Sequence, residues 1–384
     1  MTDLEHILPL WRELEEAGAD YVLATVVAVE GSSYRKPGAR MLLAQDGRRA
    51  GTVSGGCLEA EVARRAWWLT SSGAVVERYS TVADDGDMPY GSGCGGVVFI
   101  LLERQLTAGP LLAAMEAAFH ARAPLAIATI VDGPQICRRE LAGLAQNSLD
   151  HSRIAAGSSR DVNEALQSLA KSAFERRRSL EQMIHIGESE TRAWADFRPA
   201  RPGLWIFSAG DDARPLVNLA RELGWFVAVA DGRSHLATRE RFPQADEVRA
   251  LPISALPDAA PAQLPLLPSD AAVVMTHSFE QDSRILSSLL GLDFPLAYLG
   301  VLGPQRRTRE LLAEAARLLG LAATTNRVDQ WLAQMHAPTG LDLGAETPAS
   351  VALSILAEIH RTLTATSALP LRQVRAFGVA ATRG

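Results

Sequence analysis

"GLWIFSAGDDARPLVNLARELGWFVAVADGR" occupies residues 203–233, and its periodicity decides the fold. The apolar run at 203–210 reads as a strand. "DDARPLVNLARELG" then takes up a helical period and is closed by Gly224, a common end for a helix. "WFVAVADG" begins a second strand. The alternation repeats: the strand "AAVVMTHS" (271–278) precedes the helical "FEQDSRILSSLL", and "PLAYLGVLG" (295–303) precedes "PQRRTRELLAEAARLLG". Near-continuous apolar strands separated by helices imply a parallel sheet covered on both faces. A last amphipathic helix fits "TPASVALSILAEIHRTL" at 347–363.

The turn "FSAGDDA" (207–213) approximates G-x-G-x-x-A, with Ser208, Gly210 and Ala213 at the three marked positions. Gly210 lets a phosphate approach the backbone, and the helix start beyond it attracts anions. Asp231 stands where an acid holds a ribose hydroxyl, and Arg233 where a cation faces an extra phosphate. Ser208 removes the glycine that permits the tightest turn, however, and Asp211 and Asp212 put negative charge where a pyrophosphate would lie. Two readings stay open: a cofactor-binding turn, or a Rossmann-like domain without dinucleotide affinity. His277 follows a strand at the carboxyl end of the sheet, where such folds bind ligands; the alternative is a histidine hydrogen-bonded within its loop. Asp282 reads as a helix-surface acid. Arg306 and Arg307 face either an anion or solvent, with solvent preferred.

The first part of the chain mixes strands and helices. "YVLATVVAVEG" (21–31) is a β-rich run, and "ARMLLAQDGRRAGTVSGG" (39–56) forms a hairpin around Asp46-Gly47. A helix at about 58–70, strands "AVVERYS" and "VVFILLE", a helix at about 107–122 and the strand "PLAIATIVDG" complete it. Residues 140–200 read as a connecting segment with one helix, ending in "DFRPARPG", whose prolines mark a boundary. The expected organisation is an N-terminal α/β domain with a mixed sheet over 1–139, that segment, a C-terminal Rossmann-like parallel-sheet domain over 201–365, and a mobile tail over 366–384.

Chemistry concentrates in "VSGGCL" (53–58). A cysteine in the first turn of a helix feels the positive partial charge there, which favours its thiolate. Gly55 and Gly56 keep side chains away, so a bulky ligand can reach both the Cys57 sulfur and the backbone N–H groups. Glu59 caps the helix or contacts the ligand. Gly93 and Cys94, in "YGSGCGG" (90–96), repeat the arrangement before a strand. The competing reading is two glycine-rich turns with space-filling cysteines; a metal held by both thiolates has no evident third ligand. "GSSYRKPGAR" (31–40) adds Ser32, Ser33, Arg35, Lys36 and Arg40, either for an anionic ligand or as a solvated basic loop. Cys137 lacks a glycine context and reads as buried or incidental.

Composition bounds these readings. The chain has 384 residues, 47% hydrophobic and 21% charged, which suits a soluble protein of two domains. A net charge of −6 offers no electrostatic footprint for nucleic acid. No apolar run approaches the roughly 20 residues that span a bilayer, and the acidic, amphipathic start lacks a secretory signal, so a cytoplasmic setting is expected. Three cysteines without a C-x-x-C pair give neither a disulfide framework nor a four-cysteine zinc site.

Taken together, "GSSYRKPGARMLLAQDGRRAGTVSGGCLEAEV", "GSGCGGVVFILLE", the 204–233 stretch, "RFPQAD", "VVMTHSFEQDSRIL", "AYLGVLGPQRR" and "HAPTGLDLGAETPASVALSILAEI" resemble the xanthine dehydrogenase accessory factor family, XdhC/CoxI. The resemblance implies a homodimeric accessory protein rather than an enzyme with turnover. Such a protein binds the molybdenum cofactor and protects it. It supports exchange of an oxo for a sulfido ligand by recruiting a cysteine desulfurase, and it delivers the cofactor to a molybdenum hydroxylase apoenzyme. Cys57 is then the thiol that meets the molybdenum. This sequence departs from the family pattern at Ser208 and Asp211, where a glycine and a histidine are usual, and at Ser278 and Phe279, which replace polar partners of His277. The alternative function is an NAD(P)-dependent oxidoreductase built on the C-terminal domain; a third is a pure interaction module.

Overall fold

The computed structural model describes residues 2–80, 96–133, 135–143, 160–186, 189–256 and 264–375. The chain divides into two compact units, Met1–Arg201 and Pro202–Gly384.

The first unit runs α1 (Thr2–Glu16), β1 (Tyr21–Glu30), β2 (Arg40–Ala44), β3 (Arg49–Gly51), α2 (Glu59–Leu69), β4 (Val75–Ser80), β5 (Val97–Arg104) and α3 (Gln105–His120). It continues through β6 (Leu125–Ile130), β7 (Arg139–Gly143), α4 (Arg160–Arg176), β8 (Leu180–Ile186) and β9 (Ser189–Arg198). One sheet has the order β3-β2-β1-β5-β4 and a second the order β7-β6-β9-β8; every ladder in both is antiparallel. β1 is buried on both faces. Tyr21 and Leu23 pack with Ile7, Trp11 and Leu111 from α1 and α3, while Val22, Ala24 and Val26 pack with Val62 and Ala66 of α2. The expected hairpin forms around Gly47, whose φ of +92° suits glycine.

Residues 140–200 do more than connect. They supply most of the second sheet, and α4 covers it with Val162, Leu166, Leu169, Ala170 and Ala173. β8 was hidden because it presents Glu181, Gln182, Met183 and His185 to solvent. A strand with one wet face carries too few apolar residues to stand out.

The second unit runs β10 (Gly203–Phe207), α5 (Ala213–Glu222), β11 (Phe226–Asp231), β12 (Glu247–Ala250), β13 (Ala271–Val274), α6 (Phe279–Leu290) and β14 (Tyr298–Val301). Then come α7 (Gln305–Leu318), α8 (Thr325–Ala333), α9 (Pro348–Thr364) and α10 (Leu371–Arg375). Its sheet, ordered β12-β11-β10-β13-β14, is wholly parallel. Leu204, Ile206, Val227 and Val229 face α5 and α9 on one side. Trp205, Phe207, Ala228 and Ala230 face α6 and α7 on the other. The chain leaves β10 toward one edge and returns to its other side at β13. The switch point therefore lies between those two strands, where doubly wound sheets open a crevice. Of the proposed tail, 371–375 is helical and 376–384 lies outside the described residues.

Candidate functional site

The loop from β3 to α2 makes the chemically richest surface of the first unit. Gly56 has φ +109°, a conformation that strains any residue with a Cβ. Val53 and Leu58 plug into the core on either side. Glu59 is buried and turns back under the loop. Its Oε1 accepts the N–H groups of Val53 at 3.2 Å and Ser54 at 2.9 Å, and its Oε2 accepts the Ser54 hydroxyl at 2.5 Å. Burial pushes the Glu59 carboxyl up, but hydrogen bonds from Ser54 and Val53 outweigh it and hold the carboxyl below its ordinary value. Ser54 Oγ accepts the N–H groups of Gly56 and Leu58. With its one hydrogen given to Glu59, it is the acceptor for Cys57 Sγ, 3.5 Å away. Glu59 is thus the inner peg of the loop rather than a ligand contact, and Ser54 is the group that sequence reading missed.

Cys57 is half-buried and, contrary to its expected place in the first turn, stands one residue before the helix N-cap, Leu58. Gly55, Gly56 and Cys57 line a cleft of about 650 Å³ together with Ser32, Tyr34 and Arg35. Arg35 is ion-paired with Asp3, and Lys36 is exposed. Arg40 is a correction. Its guanidinium is buried, donating to Asp196 Oδ2 at 2.9 Å and to the Gly38 carbonyl at 3.0 Å, away from the cleft. A loop that reads as basic gives no sign that its last arginine starts a buried strand. Gly93 and Cys94 lie outside the described residues. Cys137 is buried with φ +72°, its Sγ 3.7 Å from Glu103; burial pushes that thiol up. Among the described residues no group of three histidine, cysteine or acidic side chains could hold a metal ion.

In the second unit, the switch point brings together the loops after β10 and β13. A Cβ at Gly210 would stand 2.5 Å from Asp212 Oδ1 and 3.3 Å from Ser208 Oγ. The space a phosphate would need is filled by a carboxylate of the chain itself. Two of the turn's donors are also engaged: Ala209 N–H donates to Asp231 Oδ2 at 2.7 Å and Gly210 N–H to Ser208 Oγ at 3.1 Å. Asp231 is fully buried, and its other oxygen accepts from Arg233 N–H and Nε. Both its oxygens are occupied, so it holds the turn and Arg233 rather than a ribose. The residues present do not fit a dinucleotide pyrophosphate. Isothermal titration of the intact protein with NAD or NADPH is therefore expected to show no saturable binding below about 1 mM; a saturable isotherm in the micromolar range would contradict this closed turn.

His277 sits in the same mouth with φ +63°, unusual for a residue with a Cβ, and its Nε2 lies 2.7 Å from Asp212 Oδ2. Asp282 is a second correction. It is buried, accepts the Thr276 hydroxyl at 2.6 Å and its N–H at 3.1 Å, and pairs with Arg307 at 2.6 Å. Arg307 therefore does not face solvent, whereas Arg306 does. The signal existed: Asp282, Ile285, Leu286 and Leu289 follow the i, i+3, i+4, i+7 spacing of one buried helix face. Ser278 caps α6 by accepting from Gln281 N–H.

Two family descriptions match this chain: "XdhC and CoxI family" over residues 14–80 and "XdhC Rossmann domain" over residues 204–359. A Bacillus subtilis protein named as a probable xanthine dehydrogenase subunit is 30% identical over 357 residues, covering 92% of this chain and 95% of that protein. The "Molybdenum cofactor insertion chaperone PaoD" of Escherichia coli is 35% identical over 108 residues, 26% of this chain and 31% of that one. A crystal structure described as a xanthine dehydrogenase from Bacillus halodurans superposes with a TM-score of 0.69 at 27% identity, covering 97% of this chain and 100% of that one. With both units matched and an end-to-end relative at this identity, the chain belongs to the XdhC/CoxI family.

Proposed function

We propose that this protein binds the molybdenum cofactor as cargo, supports its sulfuration and hands it to an apoenzyme of the xanthine dehydrogenase type. The single observation that carries the reading is the Cys57 cleft. It sets a half-buried thiol and two glycines beside the hydroxyls of Ser32 and Ser33 in about 650 Å³ of space. The cargo is a pterin dithiolene with a terminal phosphate: planar, anionic and oxygen-labile. Soft sulfur suits its metal, while the glycine backbone and serine hydroxyls suit its polar edges. A relative bearing the name of a cofactor insertion chaperone supports the same reading.

On this reading the protein is an accessory factor rather than an enzyme. Its partners are the hydroxylase apoenzyme, a cysteine desulfurase and a second copy of itself, and its setting is the cytoplasm. No helix among the described residues is long and apolar enough to cross a membrane. The oxidoreductase alternative is disfavoured, because Asp212 fills the phosphate position of the turn.

The test is expression in a host that makes molybdopterin, followed by fluorescence of the oxidised pterin released on denaturation. The wild type should release close to one pterin per chain, and Cys57→Ala about tenfold less, the equivalent of ~1.4 kcal/mol of affinity. Wild-type protein free of pterin would remove the cargo. Equal release by the two proteins would remove the role of Cys57.

A further inference from the structure

We propose that Tyr34 is the platform on which the planar heteroaromatic ring of the bound ligand stacks, fixing its orientation relative to Cys57. The inference rests on the cofactor-binding reading above and adds a residue to it. Tyr34 is 75% exposed, yet it stands on a loop held on several sides. The Ser33 hydroxyl donates to the Arg35 carbonyl at 2.9 Å, and the Arg35 guanidinium pairs with Asp3. Just before it, the backbone at Ser32 lies so close to Gly96 that a Cβ on that glycine would run into the Ser32 carbonyl oxygen. Just after it, Gly38 N–H donates to the Val26 carbonyl at 2.8 Å and Val26 N–H to the Ala39 carbonyl at 2.9 Å. The ring is therefore presented, not left dangling.

Its position is specific as well. A Cβ at Gly55 would lie 3.5 Å from Tyr34 Cγ and 3.6 Å from Cδ1. Gly55 therefore stands against the base of the ring at ordinary van der Waals distance, and Cys57 lies two residues further along the same wall of the cleft. Among the described residues the phenol has no hydrogen-bond partner, so its oxygen does not explain its placement. An aromatic face held in water beside a polar cleft is suited to a flat π-system, where stacking contributes about 1–3 kcal/mol per ring. Trp68 is similarly exposed on α2 but does not line this cleft.

The test uses full-length protein freed of cofactor and titrated with 6-hydroxymethylpterin, whose fluorescence is quenched on stacking. A second arm counts the pterin that co-purifies with each variant. Tyr34→Phe should bind within about twofold of wild type, and Tyr34→Leu about 5- to 150-fold more weakly, with a matching drop in co-purified pterin. Unchanged thermal unfolding would place the loss in binding rather than folding, as expected for an exposed ring. Tyr34→Leu that quenches and retains pterin like wild type overturns the platform and leaves the cofactor reading intact. Wild type that retains cofactor but does not quench the free pterin also overturns stacking. Wild type that neither retains nor binds pterin sinks the cofactor reading itself.

Discussion

Arg40→Ala should destabilise the first unit by about 3–5 kcal/mol, the usual cost of stripping one partner from a buried ion pair. The Arg40 guanidinium joins β2 of one sheet to Asp196 on β9 of the other, and both side chains are almost wholly shielded from water. Burial lowers the Arg40 pKa from its ordinary value, with the Asp196 charge opposing that shift. Removing the arginine leaves Asp196, among the described residues, with Arg198 3.6 Å away, and leaves Gly38 with one guanidinium donor instead of two. The double variant Arg40→Met, Asp196→Leu should recover most of the loss, because a dry apolar contact avoids the desolvation of both charges. Urea unfolding of the intact protein measures both. A loss below about 1 kcal/mol in Arg40→Ala would mean that the pair behaves as a surface one. The same variant separates two roles for Arg40: one that held an anionic ligand would lower cofactor content and leave folding unchanged.

Asp231→Ala should cost the second unit about 1.5–3 kcal/mol, the range for hydrogen bonds to a charged group. Its carboxylate ties the start of the β10–α5 turn to Arg233 through Ala209 N–H and three Arg233 contacts. Burial pushes this carboxyl up, but hydrogen bonds from Arg233 and Ala209 outweigh it and leave the pKa below the ordinary aspartate value. A pKa depressed in the folded state contributes stability that is fully present above the unfolded value of about 3.9 and is lost as pH falls through the folded value. Wild type should therefore lose stability as the medium is acidified below about pH 4, and Asp231→Ala should start lower and fall less. Parallel acid limbs for the two proteins would contradict the assignment. A ribose-holding aspartate would instead leave stability unchanged and abolish nucleotide binding.

How much could be read from sequence depended on how each element meets water. β10, β11 and β13 are covered on both faces, so their apolar runs were unbroken and the parallel sheet was legible. β8 has one solvated face, and its strand signal dissolved into a polar segment. In the site, "VSGGCL" announced itself because Gly56 needs a positive φ and the glycines clear a wall for Cys57. Nothing local marks Arg40 as buried, because its partner Asp196 lies 156 residues away, a distance over which sequence pattern carries nothing. The sequence shows Asp212 only as an unfavourable charge; that its carboxylate fills the turn and meets His277 depends on the packing of two separate loops. Asp282 was the avoidable miss, since its helical spacing already placed it on the buried face.

The most direct test of the cofactor cleft is protection of one sulfur. Cofactor-loaded and cofactor-free protein should be treated in parallel with iodoacetamide and the labelled peptides counted by mass spectrometry. The account predicts that Cys57 is carbamidomethylated at least about tenfold more slowly in the loaded protein, while Cys137, buried in both, stays unlabelled. Equal labelling of Cys57 in the two preparations would contradict it.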